Sequence, residues 1–232
     1  GTLPKKGCLV NSQKTIKISM ILILLVSVIS AVILLNQHKT SSITKSEQLK
    51  TLFSTSPTIG NKSAKNHIYL FEDLACPGCQ YFHKKILPQI KTQLIDTNKA
   101  QFTTVLVQLH PQTGEAITVS QCLSRQNTSF FTTFTDKIYA RENLEASSFD
   151  NPISWVTKNT AKYDGLNQEE LKKCVTQDNM KKFGSMNFAS MITLSKQHHW
   201  YKVSGNITTP TILVNGKRIE NYSFEKIKAA LK

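Results

Sequence analysis

At His67 the chain changes character. Ile68-Tyr69-Leu70-Phe71 is a short apolar, partly aromatic run that predicts a buried strand. Beyond it Tyr81, Phe82, Ile86, Leu87, Ile90 and Leu94 recur at helical spacing. Pro88, inside that stretch, predicts a kink, because its ring removes a backbone hydrogen bond. Residues 102–109 read as a second strand, closed by His110-Pro111. From Gly114 to about Trp200 apolar residues return every three or four positions, through Ile117, Phe130, Phe134, Ile138, Trp155, Leu171 and Met191. That spacing predicts a helical block, interrupted by turn chemistry at Asn151-Pro152 and Asp164-Gly165. Residues 210–220 read as two short strands joined by Asn215-Gly216, a strong hairpin signal, and an amphipathic helix follows from about Phe224 to Leu231. The order strand, helix, strand, helical block, hairpin, helix predicts an α/β domain with a helical insertion at about 113–200. Its first two strands should be parallel and the hairpin should complete a mixed four-stranded sheet.

Upstream the pattern is different. Residues 18–35 are uncharged and dominated by Ile, Leu and Val. At 1.5 Å rise per residue this run can just cross a hydrocarbon core of roughly 30 Å. It has no polar face, as a core helix would, and it is longer and lacks the small-residue cleavage site of a removed signal peptide. The segment therefore predicts a single N-terminal transmembrane signal anchor at 18–35, preceded by a short cytoplasmic N-terminus at 1–17. Lys5, Lys6, Lys14 and Lys17 precede it and Lys39, Lys45 and Lys50 follow, so charge biases orientation only slightly. An anchor followed by one large domain favours export of everything after it. Residues 36–65 are rich in Ser, Thr, Lys, Gln and Asn, with only a weak apolar patch near Leu49 to Phe53, and predict a flexible tether to a domain at 66–232.

Composition narrows the partners. The 232 residues are 40% hydrophobic, enough for one sizeable core, and carry 29 basic against 15 acidic residues, a net charge of +14. The positive charge is dispersed. Only three Arg occur (Arg125, Arg141 and Arg218), none interleaved with aromatic residues, so nucleic-acid binding is not supported.

The chemistry concentrates at Cys76-Pro77-Gly78-Cys79, between the end of a strand and the start of a helix. Two intervening residues on a first helical turn bring the sulfurs close enough to bond. The first sulfur also lies where unsatisfied backbone N–H groups stabilise a thiolate. Cys76 is the candidate nucleophile and Cys79 its buried resolving partner. Half a zinc site is the competing reading, but no second ligand pair is evident, because Cys122 and Cys174 stand apart and adjacent His198 and His199 point in different directions on a helix. A purely structural bridge would close too short a loop to constrain the unfolded chain much. No metal and no cofactor is called for. Asp73 reads equally as a proton acceptor or as a solvated loop residue, and Glu72 carries still less signal. Cys8 precedes the apolar run, which leaves an even four cysteines after it. Cys122 and Cys174 could form a structural disulfide suited to an oxidising compartment, or remain two buried thiols.

Phe71-Glu72-Asp73-Leu74-Ala75-Cys76-Pro77-Gly78-Cys79, together with residues 209–217 (Thr-Pro-Thr-Ile-Leu-Val-Asn-Gly-Lys), resembles the DsbA-like branch of the thioredoxin superfamily over most of 66–232. The helical block between the motifs is the insertion expected of that branch. The resemblance implies a thioredoxin-like fold, with a cis peptide at Thr209-Pro210 beside the cysteines. It further implies a membrane-anchored extracytoplasmic thiol:disulfide oxidoreductase that introduces disulfides into exported proteins bearing free thiols. A membrane redox partner would regenerate it. Pro77 and Gly78 depart from the Pro-His pair of the best-known member, which removes one source of thiolate stabilisation and implies a weaker oxidant. Two rivals stay open: a reductase or isomerase running electrons the other way, and a non-catalytic client-binding module.

Overall fold

The structure, a computed structural model, describes residues 52–144, 149–198 and 208–232. Five strands form one sheet in the order β1-β3-β2-β4-β5, with β1 at Thr58–Ile59, β2 at Asn66–Glu72, β3 at Ala100–Leu106, β4 at Thr211–Val214 and β5 at Lys217–Arg218. β2 and β3 run parallel with Ile68 opposite Phe102, and β4 lies antiparallel to β2 with Ile212 opposite Leu70. The strand-helix-strand connection produces the parallel pair, since such a crossover returns the chain in the same direction. At the β4–β5 hairpin Asn215 (φ 50°) and Gly216 (φ 81°) both adopt the left-handed region, as a two-residue turn of this twist requires.

Between β2 and β3 lies the helical run α1, residues 77–95, in segments Pro77–Tyr81, Phe82–Ile86, Leu87–Ile90 and Lys91–Ile95. The second and fourth segments are wide π turns: the Leu87 N–H donates to Phe82 O and the Asp96 N–H to Lys91 O. Pro88 is thus accommodated in the turn after a five-residue hydrogen bond, where its missing N–H is tolerated.

The insertion comprises α2 (Gly114–Gln126), α3 (Thr128–Tyr139), α4 (Pro152–Thr157), α5 (Gln168–Val175), α6 (Asp178–Lys181) and α7 (Phe183–His198), and α8 (Phe224–Ala229) closes the described chain. Asn127, Asn151 and Asn167 accept backbone N–H bonds at the starts of α3, α4 and α5, satisfying donors a helix start leaves orphaned. Strand alternation divides the core. Ile68 and Leu70 face α1 and pack with Phe82, Ile86, Ile90 and Ile227, whereas Phe71 turns to the other face with Val105, Leu213, Met191 and Leu194. Buried side chains of this size each contribute roughly 1.5–3 kcal/mol relative to exposure.

The domain starts earlier than the composition suggests. Leu52 is 4% exposed and packs with Phe71 and Val105. β1 pairs with β3 through Thr58 opposite Thr103, adding a fifth strand to the expected four. The second half of the expected tether at 36–65 is therefore part of the domain; a polar run conceals two-residue β1 because so short an edge strand needs no apolar alternation. The segments at 1–17 and 18–35 and the first half of the tether lie outside the described residues. Among the described residues no helix is long and apolar enough to cross a membrane.

Candidate redox site

Residues 72–76 leave the end of β2 and turn into α1, and one carboxylate fixes that turn. Asp73 is fully buried. Its Oδ1 accepts the Ala75 N–H at 2.8 Å and its Oδ2 accepts the Leu109 N–H at 2.7 Å and the His110 N–H at 3.1 Å. The Thr113 hydroxyl donates to Oδ2 at 3.2 Å, and His110 Nδ1 lies 2.9 Å from Oδ1. Asp73 is thus not a solvated loop residue; it ties the turn before the cysteines to the loop after β3. The solvated-loop reading fails because the strand end, which in sequence looks like the start of a surface loop, is covered by that second loop.

Cys76 caps α1 in extended conformation, and Pro77, at the first helical position, gives up an N–H that would have no acceptor there. Both cysteines are unbonded in this structure. Both are buried, Cys76 at 7% exposed and Cys79 at 0%, so of the two only the first residue keeps any contact with solvent. Cys76 Sγ lies 3.2 Å from the carbonyl oxygen of Thr209. The Thr209–Pro210 peptide is cis. A Cβ on Gly78 would lie 3.0 Å from Pro210 Cδ and 3.7 Å from Cys76 Sγ. The absence of a side chain at position 78 is therefore what lets the Pro210 loop lie directly against the helix start. The Tyr222 hydroxyl, 3.5 Å from Gly78 O, borders the same spot.

The two thiols are driven apart in acidity. A hydrogen bond from the Cys79 thiol is the largest influence on Cys76; burial opposes it, and Thr209 and the backbone N–H groups of Cys79 and Gly78 add to it. The net effect brings the Cys76 pKa down to about 6. Cys79 moves well above the ordinary thiol range, first because it is buried, then because it donates to Cys76 and sits in the field of Glu72. A thiolate at the surface of the pair over a protonated buried thiol is an arrangement suited to nucleophilic attack on sulfur.

Glu72 is the residue the sequence undervalued. It is 0% exposed and its Oε2 lies 2.8 Å from His83 Nε2. Burial disfavours the imidazolium, but the Glu72 and Asp136 carboxylates outweigh it and push the His83 pKa up to about 9. The signal that could have found Glu72 is parity: it is in phase with Ile68 and Leu70, whose side chains face α1 beneath the cysteines.

Cys122 on α2 and Cys174 on α5 are joined, with an S–S distance of 2.04 Å. The structure thus brings Asp73, Cys76, Pro77, Gly78, Cys79, Thr209 and Pro210 to one place, and the Cys122–Cys174 bridge, within the helical insertion, belongs to the same apolar core as the cysteine pair. Among the described residues there is no cluster of three or more His, Cys, Asp or Glu that could hold a metal.

A thioredoxin-fold domain with its cysteine pair against a cis-proline loop is the class that this fold and site define. The sequence model of the family described as thioredoxin matches residues 53–232. The chain belongs to that family. A Rickettsia bellii relative named "Putative protein-disulfide oxidoreductase" is 29% identical over 175 residues, 75% of this chain and 62% of that protein. The chain thus spans about three-fifths of the length of this relative, and the matching Rickettsia conorii protein is covered to 58%. A Bacillus cereus relative named "Probable disulfide bond formation protein D" is 24% identical over 183 residues, 77% of this chain and 78% of that protein. In fold, Chlamydia trachomatis DsbA matches with a TM-score of 0.58 at 21% identity, covering 75% of this chain and 88% of that one. BdbD from Bacillus subtilis matches with a TM-score of 0.58 at 21% identity, over 76% and 91% of the two chains.

Proposed function

We propose that this chain is an anchored, extracytoplasmic thiol:disulfide oxidoreductase that introduces disulfides into exported proteins, with Cys76 and Cys79 as its redox pair. The observation that carries the reading is the opposed acidity of the two sulfurs: a near-surface Cys76 near 6 over a buried Cys79 well above the usual range. A substrate thiolate attacks the Sγ of Cys76 in the oxidised pair, the Cys76–Cys79 bond breaks, and a mixed disulfide forms at Cys76. A second substrate thiolate then attacks the substrate sulfur, so the substrate leaves oxidised and the domain leaves as the dithiol, two electrons having passed to the pair. The low pKa of Cys76 makes it a good leaving group in that second step. Thr209 and Pro210, packed on the attacked sulfur, would orient the incoming chain, with Pro77, Gly78 and Asp73 holding the shape of the turn.

The uncharged run at 18–35 supports the anchor, and the Cys122–Cys174 bridge favours an oxidising compartment. The names of the Rickettsia and Bacillus relatives favour the oxidising direction over the reductase reading. Regeneration of the disulfide would fall to a membrane redox partner held on the same surface. The test is a peptide-oxidation assay with a redox titration. Oxidation that disappears in Cys76→Ala is expected, and no activity, or activity unchanged in that variant, would refute the assignment.

A further inference from the structure

We infer that the C-terminal end of α3 positions the redox pair: Tyr139 and Gln80 fasten both ends of the loop from Asp73 to Gln80 to that one helix end, and so fix how the two cysteines meet. The inference rests on the assignment of Cys76 and Cys79 above and adds two positioning residues to it. Neither touches a reacting sulfur in the argument that follows; both act through the loop.

The loop leaves β2 and closes the first turn of α1, so its shape depends on how its two ends are held. At the leading end the Asp73 carbonyl oxygen accepts the Cys76 N–H at 3.0 Å and the Tyr139 hydroxyl at 3.2 Å. At the trailing end Gln80, next to Cys79, donates its side-chain amide to the carbonyl oxygens of Tyr139 at 3.1 Å and Arg141 at 2.7 Å. Carbonyls at a helix end lack intrahelical donors, so these bonds compete with no backbone bond. Tyr139 therefore serves both ends: its side chain holds position 73 and its main chain holds position 80. Lys84, one turn further along α1, adds a bond to Arg141 O at 2.8 Å, but that contact is exposed and lies beyond the loop.

The helix end is a firm support. Phe130, Phe131, Phe134 and Ile138 bury α3 in the same apolar core as Cys76 and Cys79. The Arg141 guanidinium lies 3.7 Å from the centre of the Trp155 ring, which fastens the residues after α3 to α4. Tyr139 is 1% exposed, and its ring stacks on His83 with centroids 4.0 Å apart. Burial, and then the fields of Glu72, Cys79, Asp73 and Cys76, raise its pKa well above the ordinary phenol value. The hydroxyl thus keeps its proton, and its bond to Asp73 O persists while Cys76 titrates.

The contacts that stabilise a Cys76 thiolate include the Cys79 thiol and the backbone N–H groups of Cys79 and Gly78, all lying between the two anchored ends. Hydrogen bonds weaken steeply once donor and acceptor are misaligned. Releasing either end lets the loop relax, which weakens these contacts and raises the Cys76 pKa. The sign for the couple follows: a less stabilised thiolate disfavours the dithiol and moves the exchange equilibrium toward the disulfide.

The experiment follows the iodoacetamide alkylation rate of Cys76 against pH in the reduced full chain, together with the glutathione equilibrium at pH 7. Tyr139→Phe removes the hydroxyl and keeps the stacked ring. Gln80→Met keeps the length of the side chain and removes its amide. Gln126→Met removes an amide that bonds Asn167 O at 3.0 Å elsewhere in the insertion, and serves as the control. Tyr139→Phe and Gln80→Met should each raise the alkylation midpoint by about 0.5 pH unit or more. Starting from a wild-type midpoint near 6, that rise moves the equilibrium about threefold toward the disulfide. Gln126→Met should keep the wild-type midpoint. A wild-type midpoint and equilibrium in either Tyr139→Phe or Gln80→Met, even with lowered resistance to urea, would overturn the inference by leaving that residue a purely structural role. An equal shift in Gln126→Met would overturn it too, since any loosening of the insertion would then suffice. If Tyr139→Phe does not fold, Gln80→Met, at a half-buried position, carries the test. Absence of any glutathione adduct on Cys76 in the wild type, with Cys76→Ala for comparison, would instead be a failure of the functional assignment.

Discussion

Acidifying the medium from pH 7 to pH 5 should remove the thermodynamic bias toward the dithiol that the low Cys76 pKa gives this pair. With Cys76 near 6, about nine-tenths of it is thiolate at pH 7, against about 3% of a free thiol near 8.5. The ratio of the two binding polynomials, about 11 to 1, stabilises the reduced form by about 1.4 kcal/mol, close to 30 mV for a two-electron couple. Cys79, raised above the usual range, is protonated throughout and contributes nothing at neutral pH. The sign follows from the depressed pKa of the dithiol form: the stabilisation is full above the ordinary thiol pKa, shrinks as pH falls, and is lost below about 6. Two assays read it. The alkylation rate of Cys76 by iodoacetamide between pH 4 and 9 should rise with a midpoint near 6. The glutathione equilibrium, referred to an unperturbed dithiol peptide, should lose about tenfold of its oxidising bias between pH 7 and pH 5. Because the hydrogen bond from Cys79 is the largest cause of the shift, Cys79→Ala should move the alkylation midpoint upward. A wild-type midpoint above 8, or one indifferent to Cys79→Ala, would refute the reasoning.

Three further outcomes are expected. The Cys122–Cys174 bridge closes a separation of 52 residues, so the Cys122→Ala/Cys174→Ala variant should lose up to about 4 kcal/mol in urea unfolding without reductant; a loss below about 1 kcal/mol would contradict a stabilising role. Gly78→Ala places a methyl 3.0 Å from Pro210 Cδ and should cost about 1–3 kcal/mol by thermal or urea denaturation, with slower exchange at Cys76; no loss would mean that the Pro210 loop yields freely. Asp73→Ala leaves the Ala75, Leu109 and His110 N–H groups without their carboxylate acceptor and should destabilise by about 3 kcal/mol or more, a result measured by the same unfolding curves and contradicted by a change under about 1 kcal/mol.

Much of the architecture was legible because it rests on local signals. Ile68 to Phe71 announced β2, Asn215-Gly216 the hairpin, and the three-and-four spacing from Ile117 to Met191 the insertion. The residues that escaped are those whose role is set by what lies across from them. β1 at Thr58–Ile59 borrows its register from Thr103 and has no alternation of its own. Asp73 looked like loop chemistry because nothing in sequence shows that Leu109, His110 and Thr113 converge on it. Glu72 and His83 are eleven positions apart and meet only because β2 alternation and the first turns of α1 face each other. Gly78 could be read as a departure from a family motif, but its packing reason, the approach of Pro210, appears only in three dimensions.

The most direct test is to equilibrate the full chain across a series of glutathione redox buffers, alkylate before and after reduction with mass-distinct reagents, and map the modified cysteines. A single reversible two-electron transition confined to Cys76 and Cys79, with the glutathione adduct found on Cys76 when Cys79 is replaced by Ala, is the expected result. Cysteines 76 and 79 that resist oxidation in every buffer, or that carry the adduct on Cys79 while Cys76 stays unmodified, would contradict it.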